Sequence, residues 1–344
     1  MLNKSDVKKI LIIKLRGIGD VVLSTLTFDT LLKNFPNATI DFLTEKPSNF
    51  LLEPLHPVNQ IFLFRKKTLA ERLSTFYTIR KQKYDLILDF YSNPGTAQLT
   101  YFSGAKYRAG FPYKGRKYAY NLFGPVERDK YHAATLHLEF LRNIGLEVVE
   151  NSKLTFGMLE SEIAAAENFR KNLNLGNKKL IGISPSGGWQ SKKCPAKVFV
   201  NIAKKIEADI KDVFFLIHWG PGDEEDAEYI HYQLKDNSIL APKTSIREMG
   251  AYLKICDAVI ANDSGPMHIC SAVGTPVLGL FGPTSPKFQG PFGEKNNYIH
   301  KSDLFCIECN LLTCKYKHEC FYDLPVEAVS QEFGELLSNN KIIY

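Results

Sequence analysis

The chain has 344 residues, of which 44% are apolar and 23% charged, with a formal net charge of +6. That is room for two domains of ordinary size and the make-up of a globular protein, not a disordered or fibrous one. No run of about 18 apolar residues could cross a membrane as a helix, and the basic N-terminus has only Ile10 to Ile13 before Lys14 interrupts it, too little for a secretory signal, so a cytoplasmic protein is expected.

In chain order, Lys9–Lys14 (KILIIK) reads as a short buried strand. It runs into the turn Leu15-Arg16-Gly17-Ile18-Gly19-Asp20 and a helix expected over 20–34. Thr39–Leu43 is strand-like, Leu69–Lys83 has helical spacing, Tyr84–Phe90 is a strand and His132–Ile144 a helix with an apolar stripe. Short strands alternating with helices of 10–15 residues indicate a doubly wound α/β domain. The first turn is not GxGxxG, because Asp20 stands where a third small residue would be. A carboxylate there repels a pyrophosphate, which argues against a dinucleotide site. Asp20 could serve as a general base towards a hydroxyl or simply cap its helix.

The pattern restarts after a polar connector at 172–179. Leu180–Ser184 is a strand, Ala196–Ile210 a helix, Val213–Ile217 a strand, Glu224–Leu234 and Ile246–Lys254 helices, and Ala258–Ala261 and Val277–Phe281 strands. The amphipathic tail Val326–Leu337 is expected to pack at a domain junction. The fold class is therefore α/β, two Rossmann-like doubly wound domains that would meet at a cleft formed by their C-terminal strand edges. The expected divisions are 1–172, 173–325 and the terminal helix 326–344.

Four loops of the second half carry candidate chemistry. The loop from Ser184 to Pro195 (SPSGGWQSKKCP) combines hydroxyls such as Ser186, two glycines and the ammonium groups of Lys192 and Lys193. Such a lysine can offset charge on a departing diphosphate, or merely face solvent. After Val213–Ile217 come Asp223, Glu224 and Glu225, which could accept hydrogen bonds from ribose hydroxyls or favour a helix N-terminus through its dipole. Finally, Asn262-Asp263-Ser264-Gly265-Pro266 opens a helix, with Ser264 a good N-cap and Pro266 suited to the first turn. The free N–H groups there suit a phosphate. The next strand ends in Gly282-Pro283-Thr284-Ser285-Pro286, so both turns fall on one sheet edge; two ordinary tight turns would look the same.

Charge and cysteine are unevenly spread. Residues 1–150 hold 22 Lys+Arg against 14 Asp+Glu, a net of +8, and the remainder 21 against 23. A basic first half fits an acidic partner, whether nucleic acid, an anionic membrane surface or a phosphorylated glycolipid, and equally fits solvated lysines. No aromatic-basic motif of the usual nucleic-acid modules occurs, so nucleic acid is not expected. Four of the seven cysteines, Cys306, Cys309, Cys314 and Cys320, are clustered. They could hold a structural zinc, remain free thiols or form a redox pair; their spacing is not that of paired CxxC knuckles.

Taken together the motifs resemble glycosyltransferase family 9, the bacterial ADP-heptose:lipopolysaccharide heptosyltransferases. The resemblance spans ILIIKLRGIGDVVLSTLTFDTLLKNFPNATIDFL, GAKYRAGF, YHAATLHLEFLRNIGL, SPSGGWQSKKCP and, most specifically, NDSGPMH followed by FGPTSP; CIECNLLTCKYKHEC is similar to a cysteine-bearing tail seen in many members. The resemblance implies the GT-B arrangement, with acceptor held mainly by the first domain and sugar nucleotide by the second. It implies heptose transfer from an ADP-sugar to an acidic glycolipid, the lipopolysaccharide core, at the cytoplasmic face of the inner membrane, with no cofactor required. Asp20 would be the general base and Lys192 would steady the diphosphate. Ser186, Asp263, Ser264, Gly265, His268 and Thr284 would line the donor site, and Glu224 would contact the ribose, with Glu225 the fallback. Cys194 departs from the family, which more often has Trp at that position.

Overall fold

A computed structural model of the chain describes residues 2–15, 17–64 and 68–343, and it divides into two units, Met1–Gly157 and Met158–Tyr344. Arg16, in the expected first turn, lies outside the described residues. In the first unit the strands are β1 (Lys9–Ile13), β2 (Thr39–Thr44), β3 (Gln60–Leu63), β4 (Leu86–Asp89), β5 (Tyr107–Gly110) and β6 (Leu122–Phe123). In the second they are β7 (Lys179–Ser184), β8 (Val213–Ile217), β9 (Ser238–Leu240), β10 (Ala258–Asn262), β11 (Val277–Phe281) and β12 (Asn297–His300).

The central strands read KILII, LILD, VFFLI, AVIAN and VLGLF and are buried almost throughout. Near-continuous apolar runs of this kind belong to parallel sheets covered by helices on both faces. All pairings among them are parallel, and the orders are β3-β2-β1-β4-β5-β6 and β12-β11-β10-β7-β8-β9. Counted from its own first strand, each sheet has the order 3-2-1-4-5-6 of a Rossmann domain. Strand order reverses between β1 and β4 and again between β7 and β10. Ligands of such sheets bind outside the carboxyl ends of the strands at that reversal. Those ends carry Lys14 to Asp20 in one unit, and Ser184 to Lys193 with Asn262 to Gly265 in the other.

The expected central strands are present, whereas β3, β5, β6, β9 and β12 are short outer strands that hydropathy alone does not single out. The helix expected over 20–34 is instead Ile18–Ser24, a 3-10 turn Thr25–Thr27, and Phe28–Asn34. The hydroxyls of Ser24, Thr25 and Thr27 donate back to the carbonyls of Val21, Val22 and Ser24 at 2.6–2.7 Å, which tightens the backbone at that point. The helix Glu160–Asn172, expected within a first domain ending at 172, belongs to the second unit. Arg170 Nη2 donates to both carboxylate oxygens of Asp257, at 3.0 and 2.8 Å, and Glu162 pairs with Arg247 at 2.9 Å. The unit boundary thus falls at 157/158. The terminal helix Val326–Asn339 packs within the second unit, where Phe333, Leu336 and Leu337 join Phe199 and Ile206 in one core and Ser330 Oγ donates to Asp209 at 2.6 Å. No described helix is long and apolar enough to cross a membrane.

Candidate functional site

In the second unit, β10 ends on two buried polar residues that organise everything around them. Asn262 Nδ2 donates to the Pro185 carbonyl at 2.8 Å, and its Oδ1 accepts from the Cys194 N–H at 3.3 Å. One side chain therefore holds both ends of the lysine-bearing loop against the sheet. Within that loop Lys192 lies on a single 3-10 turn, Gln190–Lys192, with its ammonium 4.6 Å from the centroid of the Trp189 ring. It pairs with Asp263 Oδ2 at 2.6 Å, and both side chains are largely buried. Thr284, on the loop after β11, donates its hydroxyl to the same Asp263 oxygen. The three loops after β7, β10 and β11 thus converge on one carboxylate. A charged pair this dry is sustained only by such extra bonds.

Ser264 occupies the N-cap position of the helix Gly265–Val273, with extended backbone and proline in the first turn. Its side chain makes no capping bond, however, and its hydroxyl oxygen is buried without a hydrogen-bond partner. The helix therefore begins at Gly265 without a side-chain cap, and an uncapped helix start with its positive dipole end is what an anion site requires. His268 is buried one turn further along.

A second carboxylate group lies beside the same loop. Ser186 Oγ donates to Asp223 at 2.6 Å, and Lys193 bridges Asp223 at 3.0 Å and Asp226 at 2.7 Å. Glu224, the residue expected at a ribose, instead accepts the Gly222 N–H at 2.6 Å from an exposed position, and backbone N–H groups, its own foremost, hold its carboxyl below the ordinary value. Asp223 is the carboxylate tied to the loop; sequence reasoning named it only as one of an acidic run. Glu225 is an exposed residue of the first helical turn.

In the first unit Asp20 sits in the first turn of the helix Ile18–Ser24 but does not cap it; Gly17 is the N-cap residue, at φ +69°. A Cβ at Gly17 would come 2.5 Å from Asp20 Oδ2, so glycine there is needed both for the backbone angle and for room beside the carboxylate. Lys14 pairs with Asp20 at 3.0 Å; the lysine is only 7% exposed and the aspartate 56%. One end of the pair is fixed in the unit and the other presents a carboxylate to solvent. Arg128 faces the same charge: its guanidinium lies 4.3 Å from the Phe111 ring centroid, burial lowers its pKa and Asp20 opposes that. Burial, reinforced by Lys14 and Arg128, keeps the His137 imidazole well below its usual pKa and hence neutral. Of these groups Lys14 had a readable signal, a lysine closing a buried apolar strand. Arg128 and His137 had none.

Cys194 is buried in the same core of the second unit as Cys320, and burial pushes its thiol well up. It fills the position as a small apolar residue. Cys306, Cys309, Cys314 and Cys320 are free thiols, and Cys314 Sγ accepts the N–H groups of Tyr316 and His318 at 3.3 and 3.2 Å. Among the described residues no three His, Cys, Asp or Glu side chains are grouped to hold a metal ion.

The profile of glycosyltransferase family 9 (heptosyltransferase) matches residues 72–319, most of the chain. The chain is 26% identical over 337 residues to lipooligosaccharide heptosyltransferase 2 of Campylobacter jejuni, covering 94% of this chain and 97% of that one. It is 24% identical to lipopolysaccharide heptosyltransferase 2 of Escherichia coli K12, covering 96% and 98%. Among solved structures, a family 9 glycosyl transferase from Veillonella parvula superposes with a TM-score of 0.85 at 22% identity, over 98% of this chain and 99% of that one. The E. coli ADP-heptose lipopolysaccharide heptosyltransferase II gives 0.78 at 21% identity, over 97% and 99%. These structures share the fold of two parallel six-stranded α/β units. The converging loops, the paired lysine and aspartate and the extent of the match lead to one conclusion: the chain is a glycosyltransferase and belongs to glycosyltransferase family 9, the heptosyltransferases.

Proposed function

We propose that the protein transfers a heptose from ADP-heptose to a hydroxyl of the lipopolysaccharide inner core, with inversion at the anomeric carbon. The observation that carries the reading is the three-loop arrangement of Lys192, Asp263 and Thr284 beside the uncapped start of the helix Gly265–Val273. It provides one cation and a set of N–H donors suited to a diphosphate. The names of the relatives supply the sugar and the acceptor: heptosyltransferases of lipopolysaccharide and lipooligosaccharide, one of them with ADP-heptose in its title.

In this reading the acceptor oxygen attacks the anomeric carbon as the bond to the diphosphate breaks. The hydroxyl proton passes to Asp20, and ADP departs with its new charge offset by Lys192 and the helix N–H groups. Lys14 orients the Asp20 carboxylate, and the acidic run after β8 would bond the ribose, through Glu224, with Glu225 the fallback, or through Asp223, which Ser186 ties to the lysine-bearing loop. Asp263 would meet the sugar hydroxyls, since a carboxylate facing a phosphate is costly. No metal or other cofactor takes part in any step proposed. The acceptor is an acidic glycolipid, so the protein would work at the cytoplasmic face of the inner membrane, in peripheral contact with it.

Asp20→Ala tests the central role. Loss of a general base lowers transfer by about a hundredfold or more. A variant that keeps its melting temperature and loses less than about tenfold would remove Asp20 from that role.

A further inference from the structure

The helix Leu69–Lys81 is apolar on two faces, where a surface helix needs only one. Inward, Ile79 is buried and Phe76 packs on a core cluster that includes Phe64, Tyr84 and Leu99. Outward, Leu69, Leu73 and Tyr77 are 70%, 57% and 70% exposed. Spaced four residues apart, they form one stripe. At the end of this helix Arg80 Nη1 donates to the Phe102 carbonyl at 2.7 Å, which sets the helix beside an exposed aromatic trio. Tyr101 meets Phe102 at 5.2 Å and Tyr118 at 5.4 Å, edge to face.

The charge around this surface is of one sign. Residues 68–83 hold four Lys and Arg and one acid, a net of +3. The one acid, Glu71, is engaged in the capping box with Thr68. Residues 101–118 add five Lys and Arg and no acid. Lys81, Lys114 and Lys117 are exposed.

We propose that this face docks the protein onto an anionic lipid bilayer. Leu69, Leu73, Tyr77 and the aromatic trio enter the headgroup region, and the surrounding lysines and arginines sit over lipid phosphates. A second copy of the chain is the poorer occupant, because two faces of the same strong positive charge repel each other. The proposal deepens the reading that the acceptor is a membrane glycolipid. Vesicle binding is nevertheless read without any sugar transfer, so failure here and failure of the acceptor assignment are separate results.

The test is co-sedimentation of the full chain with vesicles of phosphatidylglycerol and phosphatidylethanolamine, against vesicles of phosphatidylcholine. The wild type binds the anionic vesicles, and binding weakens as salt is raised. Leu69→Ser, Leu73→Ser and Tyr77→Ser combined lower that binding at least about tenfold. Should this variant fold poorly, Lys81→Glu, Lys114→Glu and Lys117→Glu combined leave every apolar side chain in place and lower it about a hundredfold. Wild-type binding that is absent, or equal on neutral vesicles, overturns the proposal. So does undiminished binding by folded variants, or a wild-type dimer that the serine substitutions disperse.

Discussion

Replacing Asn262 by alanine should unseat the loop that carries Lys192. Asn262 is fully buried and bonds the Pro185 carbonyl at 2.8 Å and the Cys194 N–H at 3.3 Å. Alanine strands both backbone groups where water has little access, at a cost of about 1–3 kcal/mol each before any relaxation. Allowing for partial rehydration, the second unit loses about 2–4 kcal/mol, which for a domain of this size lowers the melting temperature by about 5–12 °C. The loop is tied to the sheet at two points only a few residues from Lys192, so the ammonium loses its placement against Asp263 as well. A displacement of about an ångström there costs up to a hundredfold in transfer. Two scanning-calorimetry or dye-melting series check this, one without ligand and one with ADP. A purely structural role would lower the baseline melting temperature and leave the ADP-induced increment unchanged; a positioning role shrinks the increment too. A shift under about 2 °C with the increment intact would refute the argument.

Two further predictions follow from the second unit. Burial pulls the His218 imidazole down to about 3, with Cys256 Sγ 3.6 Å from its Nε2. Because the folded-state value lies below the unfolded one, the unfolded chain takes up the proton. The contribution to stability is complete above pH 6.5 and is lost as pH falls from there towards 3, by up to about 1.4 kcal/mol per pH unit. His218→Gln should show a shallower fall in melting temperature between pH 6.5 and 5 than the wild type; parallel curves would contradict this. In a thermal-shift panel, ADP and ADP-sugars at about a hundred times Kd should stabilise the protein by about 2.7 kcal/mol while UDP-sugars do little. Stabilisation by UDP-sugars alone would reassign the donor.

What the sequence made legible follows from where its signals are strong. Central parallel strands are apolar on both faces, so KILII, VFFLI and VLGLF could be read directly. The outer strands are two to four residues long and half exposed in places, with no periodicity to find. Lys192, Asp263 and Thr284 were each visible as loop residues, but their meeting on one carboxylate oxygen depends on the order of β7, β10 and β11, which no local pattern encodes. Asn262 reads as the first residue of a turn, and only the fold shows that it closes β10 and spans the loop. Glu224 is the residue the resemblance implies at the ribose; that the Gly222 N–H bonds Glu224 while Ser186 reaches Asp223 is a difference no local pattern in the acidic run encodes. Ser264 had the sequence of a capping serine, and its hydroxyl nonetheless leaves the helix start uncapped.

The most direct test of the account is to incubate the purified protein with ADP-heptose and lipopolysaccharide acceptors truncated at successive inner-core positions, and to weigh the products. The account predicts the mass of one added heptose on at least one truncated acceptor, with release of ADP and loss of both signals in Asp20→Ala. No mass gain on any acceptor from a folded protein that binds ADP, or a gain matching a different sugar, would contradict it.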